Sequence, residues 1–372
     1  EEERYSALRI SGVEGGDGTP LYLRLYPGAF SDVSRSPCAY AELFNTSLTV
    51  IPDTTPPIIK NVVIKYSTGT LIVTFNETVD TRVIGNFNLS KSILLNGDGK
   101  NLSIADSIVS KSESINMTIT LKENIRASAI RISGTPGGDG KNVLFDFIQG
   151  FVFDAAGNAN LLAKNINVIE FSDNIHPVIT SALLNYQNGK FYFNASETLD
   201  ATPYSQIDYS KIFISNTSGI GALSVSLSGT ISANIDAFNI IGAIPEPTRA
   251  ITIPFSGTKG GDTVTFQTST FDNITNTTNY TTKIIKGDAY VIFFPGAIRD
   301  VAQNFNENQA SFSLQEISDE LSPKVINTTV NYSTGIVTVI YSEFIDITPK
   351  EYVVAASFSL WNDTENDNQP LI

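Results

Sequence analysis

Asp53-Thr-Thr-Pro-Pro57-Ile-Ile-Lys-Asn-Val-Val-Ile-Lys-Tyr66-Ser-Thr-Gly69-Thr-Leu-Ile-Val-Thr-Phe-Asn-Glu77-Thr-Val-Asp80 is the stretch on which the fold turns. Ile58, Val62, Ile64 and Tyr66 share one parity before the glycine, and Leu71, Val73 and Phe75 share one after it. That two-residue period predicts two strands, each with one buried face. Gly69 supplies the positive φ of a tight turn between them. The same stretch returns twice without gaps, as Asp173/Pro177/Tyr186/Gly189/Glu197/Asp200 and Asp319/Pro323/Tyr332/Gly335/Glu343/Asp346. The apolar positions return with it: Val178, Ala182, Leu184 and Tyr186 before Phe191 and Phe193, then Ile326, Val330 and Tyr332 before Val337, Val339 and Tyr341. The copies start 120 and 146 residues apart, the size of a domain rather than of a solenoid rung.

A second marker, Ser-Gly-x-x-Gly-Gly-Asp, occurs at Ser11 to Asp17, Ser133 to Asp139 and Ser256 to Asp262. An aspartate-led turn follows each time: Pro27-Gly-Ala-Phe-Ser-Asp32, Asp154-Ala-Ala-Gly-Asn158 and Pro295-Gly-Ala-Ile-Arg-Asp300. The order of markers predicts four pieces: 1–52, the C-terminal half of a unit; 53–172, a whole unit; 173–318, a whole unit with an Asn/Thr-rich insertion near 273–281; and 319–372, an N-terminal half. The end pieces are complementary, and each alone would expose an apolar sheet face and open strand edges. Starting Glu1-Glu2-Glu3 and ending Leu371-Ile372, the chain reads as a processed or partial one.

Composition removes whole classes of function. With 24 Lys+Arg against 38 Asp+Glu, the formal charge of −14 speaks against a nucleic-acid or anionic-membrane partner. One His and one Cys leave no parts for a zinc cluster, a Ser-His-Asp triad or a disulfide framework. No run of about 20 apolar residues predicts a membrane span. Helical spacing is scarce and β-branched and aromatic residues dominate, so the expected fold is all-β, tandem antiparallel immunoglobulin-like sandwiches with split half-domains at both ends. The Asp-x-x-x-Pro opening, the hairpin into Phe-Asn-Glu-Thr-Val-Asp (75–80) and the Asp154-Ala-Ala-Gly-Asn158 turn together resemble the immunoglobulin-like repeats of surface-layer and secreted adhesive proteins. That resemblance implies a stalk, layer or fibre role without catalysis, although Asp300-Val-Ala-Gln-Asn304 lacks the glycine and Asp32-Val-Ser-Arg35 lacks both Gly and Asn.

Thirteen Asn-x-Ser/Thr sequons, about twice the number random placement gives, predict N-linked glycans at Asn45, Asn76, Asn88, Asn101, Asn116, Asn194, Asn216, Asn273, Asn276, Asn279, Asn327, Asn331 and Asn362. Such glycans would place the protein outside the cell or at its surface. Cys38 reads as a buried thiol or one half of an intermolecular bridge, and His176 as an exposed linker residue. The Gly-Gly-Asp loops lack the Lys-Ser/Thr of a phosphate cradle and read as hairpin turns. No cofactor is expected, with calcium between junction acids (Asp53 with Asp80, Asp154 with Asp173) as the alternative to turn-forming aspartates. Glu77/Asp80 and their copies could suggest a glycosidase pair, but recurrence in every unit favours architecture, and no enzyme is expected.

The resulting expectation is a structural subunit that joins copies of itself head to tail, residues 319–372 of one completing a sandwich with residues 1–52 of the next. The assembly positions are Val330, Tyr332, Val337, Val339 and Tyr341 on one side and Tyr22 and Arg24 on the other. A tandem adhesin or stalk binding carbohydrate or protein, with or without calcium, is the alternative, and a window cut from a longer array fits the same markers.

Overall fold

A computed structural model describes residues 2–37, 41–42, 48–219, 224–233, 236–257, 263–272, 277–286, 288–307, 310–347, 353–362 and 365–370. Cys38, Asn45, Asn273 and Asn276 lie outside the described residues.

The quoted stretch forms the strands Ile59–Lys65 and Thr70–Asp80, antiparallel with Val62 opposite Val73. Glu113–Thr120 extends this layer beside Thr70–Asp80. The facing layer holds Ser92–Asn96, Asn101–Ser103 and Val143–Phe147. Ala163–Phe171 belongs to both layers: it runs antiparallel to Val143–Phe147 and, past an irregularity where Asn165 has φ +55°, parallel to Ile59–Lys65. Val62, Ile64, Tyr66, Leu71, Val73 and Phe75 meet Leu94, Val143, Phe145 and Phe147 in one core. Each such side chain taken from water contributes about 1.5–3 kcal/mol.

The second body repeats this plan. Ile179–Asn185, Lys190–Leu199, Ala237–Ala243, Ile231–Ser232 and Gln315–Ile317 make one layer, and Ile212–Ser215, Ser224–Ser226, Tyr290–Phe293 and Ala310–Ser313 the other. Leu184, Phe191 and Phe193 pack against Ile212, Ile214, Val291 and Phe293. Its inserted segment is a two-stranded hairpin, Thr263–Asp272 with Thr277–Lys286, in which Asn279 lies opposite Thr270. The chain is therefore all-β with immunoglobulin-like sandwiches, and no described helix is long and apolar enough to cross a membrane.

Three expectations need correction. Ile58 and Val178 are exposed because each opening strand carries a bulge, between Ile59 and Asn61 and between Ile179 and Ser181, that resets the parity. Ile179, not Val178, takes the core position. The pairing is also not purely antiparallel, since the last strand of each sandwich lies parallel to its first.

The third correction is that short helices precede each Ser-Gly-x-x-Gly-Gly-Asp marker: α1 (Glu2–Arg9), α2 (Glu123–Arg131) and α3 (Glu246–Thr252). In α2, Glu123 sits in the first turn, favourable to the helix dipole, and pairs with Arg126 one turn on. Ile125, Ala129 and Ile130 are buried. Pro247 opens α3, where a missing N–H costs nothing.

Candidate functional site

The recurring acids converge where one unit meets the next. Asp173, which opens the second unit, lies with Glu197 and Asp300, offering carboxylate oxygens within 4.8 Å of one another. Asp53, Glu77 and Asp154 form the matching group one unit earlier. Asp53 is thus grouped with Glu77 and Asp154, not with Asp80, and Asp154 and Asp173 belong to different groups. These triads are the residues that could hold a divalent cation, and the helix before each junction sends an arginine to them. Arg126 of α2 donates to Glu197 at 2.9 Å, to Asp173 through a short bond, and to Glu123 at 2.6 and 2.7 Å. Arg249 of α3 does the same with Glu246, Asp319 (2.7 Å) and Glu343 (3.5 Å). Arg4 of α1 reaches Glu77 at 2.7 Å and Asp53 at 3.5 Å.

The remaining repeat positions serve the same junction. Arg131 at the end of α2 and Arg299 of the second unit both reach Asp200, each at 2.8 Å. The aspartate-led turns are one structure in three copies: Asn158 N–H donates to Asp154 Oδ1 (2.7 Å), Asn304 N–H to Asp300 Oδ1 (2.8 Å) and Ser36 N–H to Asp32 Oδ1 (2.9 Å). The Asn158 and Asn304 amides also donate to the carbonyls of Asp53 and Asp173, tying the linker down. His176, read as an exposed linker residue, bridges to the Phe305 carbonyl (2.7 Å) and Glu307 (3.0 Å).

The Gly-Gly-Asp loops at 15–17 and 137–139 are not hairpin turns, while that at 260–262 lies outside the described residues. The two described loops continue from α1 and α2, and their first paired glycine is where the next unit touches. A Cβ on Gly137 would sit 1.9 Å from the Val301 carbonyl oxygen, and one on Gly15 would sit 2.1 Å from that of Ala155. Both φ values are near +85°, so only glycine suits position and conformation together. Val301 and Ala302 pack into the core of the preceding unit. The sequence signal for the arginines was present as Glu-x-x-Arg at Glu1/Arg4, Glu123/Arg126 and Glu246/Arg249, seven residues before each marker serine.

Burial and the neighbouring Asp300 charge push the Glu197 carboxyl up to about 7, against the pull of Arg126. Burial moves Asp300, Asp154 and Glu77 the same way. A carboxyl raised in the folded state binds its proton more tightly there than in the unfolded chain. Glu197 therefore contributes stability that is complete below pH about 4.5 and lost as pH rises through about 7, while Glu123, held low against burial by Arg126, contributes stability lost only at lower pH. The melting temperature is expected to fall between pH 5 and pH 8, and Glu197→Gln to flatten that dependence in calorimetry.

Among the described residues, the copies of the core positions in 319–372 are not sealed. Tyr332 is 90% exposed, whereas its copies Tyr66 and Tyr186 are 0% and 1% exposed and donate to Glu170 and Glu316 at 2.7 and 2.8 Å. Val330, Val337, Val339 and Tyr341 are half-buried on the hairpin Val325–Asn331/Ile336–Tyr341, while their counterparts are core. On the other end, the Gly28/Gly150/Gly296 correspondence sets Leu21, Leu23 and Leu25 against Val143, Phe145 and Phe147 of the first core. Alternation sets Tyr22 and Arg24 on the opposite parity from these leucines. Among the described strands, none of 1–52 pairs with any of 319–372.

Of the sequons, Asn88, Asn101, Asn116, Asn327 and Asn331 are exposed. Asn76, Asn194 and Asn216 are half-buried, with Asn76 Oδ1 accepting from Ile58 N–H (2.6 Å) and Asn194 Nδ2 donating to Ser181 (2.8 Å).

No family model matches the chain, and no curated protein does. Among solved structures it is similar to the I9–I11 tandem from titin, at 9% identity over 71% of this chain and 65% of that one, with a TM-score of 0.16. It is also similar to the N-terminal four Ig domains of Dscam1 isoform 8.4, at 8% identity over 72% and 53%, with a TM-score of 0.15. The chain spans less than two thirds of the length of either, and the sandwich assignment rests on the sheets themselves.

Proposed function

We propose that this chain is the structural subunit of an extracellular, N-glycosylated filament, joined head to tail as residues 1–52 of one copy complete the sandwich begun by residues 319–372 of another. The observation that carries this reading is Tyr332, nine-tenths exposed where both internal copies are sealed. Completion would bury Val330, Tyr332, Val337 and Val339 against Leu21, Leu23 and Leu25 and pair open strand edges, as in strand complementation. The contact joins two different surfaces, so it propagates into an open fibre. Asn327 and Asn331 lie on the opposite parity to Val330, which leaves their glycans on the outside of a completed unit. One position departs from the template: Val50 stands where Glu170 and Glu316 accept from the tyrosine hydroxyl, so a completed unit would lack that carboxylate.

The second reading, a tandem stalk or adhesin in which neighbouring halves are covalent, rests on the same repeats. Electron microscopy of native material, with the mass of the deglycosylated subunit measured on the same sample, separates the two. Fibres built from subunits near 40 kDa, carrying several glycans that enzymatic or chemical deglycosylation removes, are the expected result. Isolated particles, a much longer polypeptide or an unglycosylated mass would overturn it.

A further inference from the structure

Arginine and hairpin meet in both whole units, and Arg4 and the hairpin around Gly335 are further copies of those two parts. Arg126 is held from behind by the first hairpin of its own unit: its Nη1 donates to the Tyr66 carbonyl at 3.2 Å. A Cβ on Gly69 would lie 3.4 Å from its Cδ. Arg249 repeats this with the Tyr186 carbonyl, and a Cβ on Gly189 would lie 3.5 Å from its Cδ. Both arginine side chains are almost sealed, at 6% and 7% exposure.

Arg4 occupies the same place in the repeat, but the described residues of 1–52 hold no copy of the Tyr66–Gly69 turn, and its side chain is 51% exposed. The junction around it is looser in two further respects. A cavity of about 320 Å³ opens between α1 and the following unit, lined by Arg4, Tyr5, Leu8, Asp53, Glu77 and Asp154. Glu77 Oε1 is buried there without a hydrogen-bond partner. The hairpin copy at the other end has the seat ready: Gly335 has φ +70°, beside +62° for Gly69 and +66° for Gly189, and nothing lies within 4 Å of where its Cβ would be.

We infer that the Tyr332 carbonyl and Gly335 of one copy seat Arg4 of the next, so that joining the split unit also locks the 1–52/53–172 junction. The inference rests on the head-to-tail reading above. Its physical content is that the arginine, already paired with Glu77 and Asp53, is pressed from behind and sealed from solvent, closer to the buried Glu77 Oε1 that has no donor. An ion pair whose arginine is half in solvent becomes a sealed one whose partners depend on each other.

The test is amide hydrogen exchange over residues 48–55, the linker entering the first whole unit, in the unassembled full chain and in its fibres. Exchange about tenfold or more slower in fibres is expected for the natural chain. Fibres of Arg4→Ala should keep the fast rate, and Arg4→Lys should not restore protection, because an ammonium cannot fork between a carbonyl and two carboxylates. Arg4→Ala fibres as protected as the natural ones overturn the seat alone and leave the filament standing. Protection present before assembly shows that the same polypeptide supplies the seat and overturns it too. A chain that forms no fibres overturns both readings.

Discussion

Val339→Asp should abolish end-to-end assembly while leaving the two whole units folded. Position 339 corresponds to Val73 and Phe193, which are fully buried in their sandwiches. A carboxylate there must be buried in a completed core with nothing to pair it, a penalty of several kcal/mol on each joining event. In the unassembled chain the same residue lies half-buried on a surface hairpin, so the melting transition of the rest should not move. Sedimentation reads the loss of fibres, and circular dichroism reads the unchanged units. Thr338→Asp, one residue away on the exposed face, is the control that should assemble. Fibres of normal length from Val339→Asp would mean that this hairpin face stays outside the contact.

Arg126→Ala is expected to have the largest effect on stability. It removes the counter-charge of Asp173, Glu197 and Glu123, of which the first two are sealed within the junction. Breaking a buried network from the cationic side costs about 3–5 kcal/mol, because the carboxylates stay behind without their partner. Thermal melting near neutral pH reads the loss, and limited proteolysis across 172–177 locates it. The deficit should shrink at pH 5, where Glu197, pushed up to about 7, carries a proton and no longer needs the arginine. Arg4→Ala in the unassembled chain should cost less than Arg126→Ala, since Arg4 is half in solvent and serves one buried carboxylate, Glu77, where Arg126 serves two. Equal penalties for the two substitutions would contradict the difference in their surroundings.

Much of this architecture is legible in the residues, and the parts that are not have identifiable causes. Two-residue alternation finds the strands and most of the core, but fails at Ile58 and Val178 because a bulge is a property of strand pairing, invisible to a single strand. The helices escape because seven to nine residues are too few for a 3.6 period to emerge, and Pro247 reads locally as a breaker. Asp53, Glu77, Asp80 and their copies stand out as recurring acids; what they bind does not, because each arginine comes from the unit before, outside the stretch in which the acids repeat. Alternation alone does not fix whether 22 and 24 or 21, 23 and 25 form the apolar face. Aligning Gly28 with Gly150 and Gly296 does, and moves the apolar face to Leu21, Leu23 and Leu25.

The parallel pairing of first and last strands has a mechanical consequence. The chain enters the first sandwich at the start of Ile59–Lys65 and leaves it at the end of Ala163–Phe171, and these two strands run side by side in the same direction. Ile179–Asn185 and Gln315–Ile317 repeat the arrangement. Tension along the polypeptide therefore pulls the two strands past each other lengthwise, and the rungs between them share the load instead of opening one at a time. Resistance to such a pull is set by the rate of crossing that shear barrier rather than by equilibrium stability. A thread of these units would yield abruptly at high force, each sandwich acting as a separate fuse.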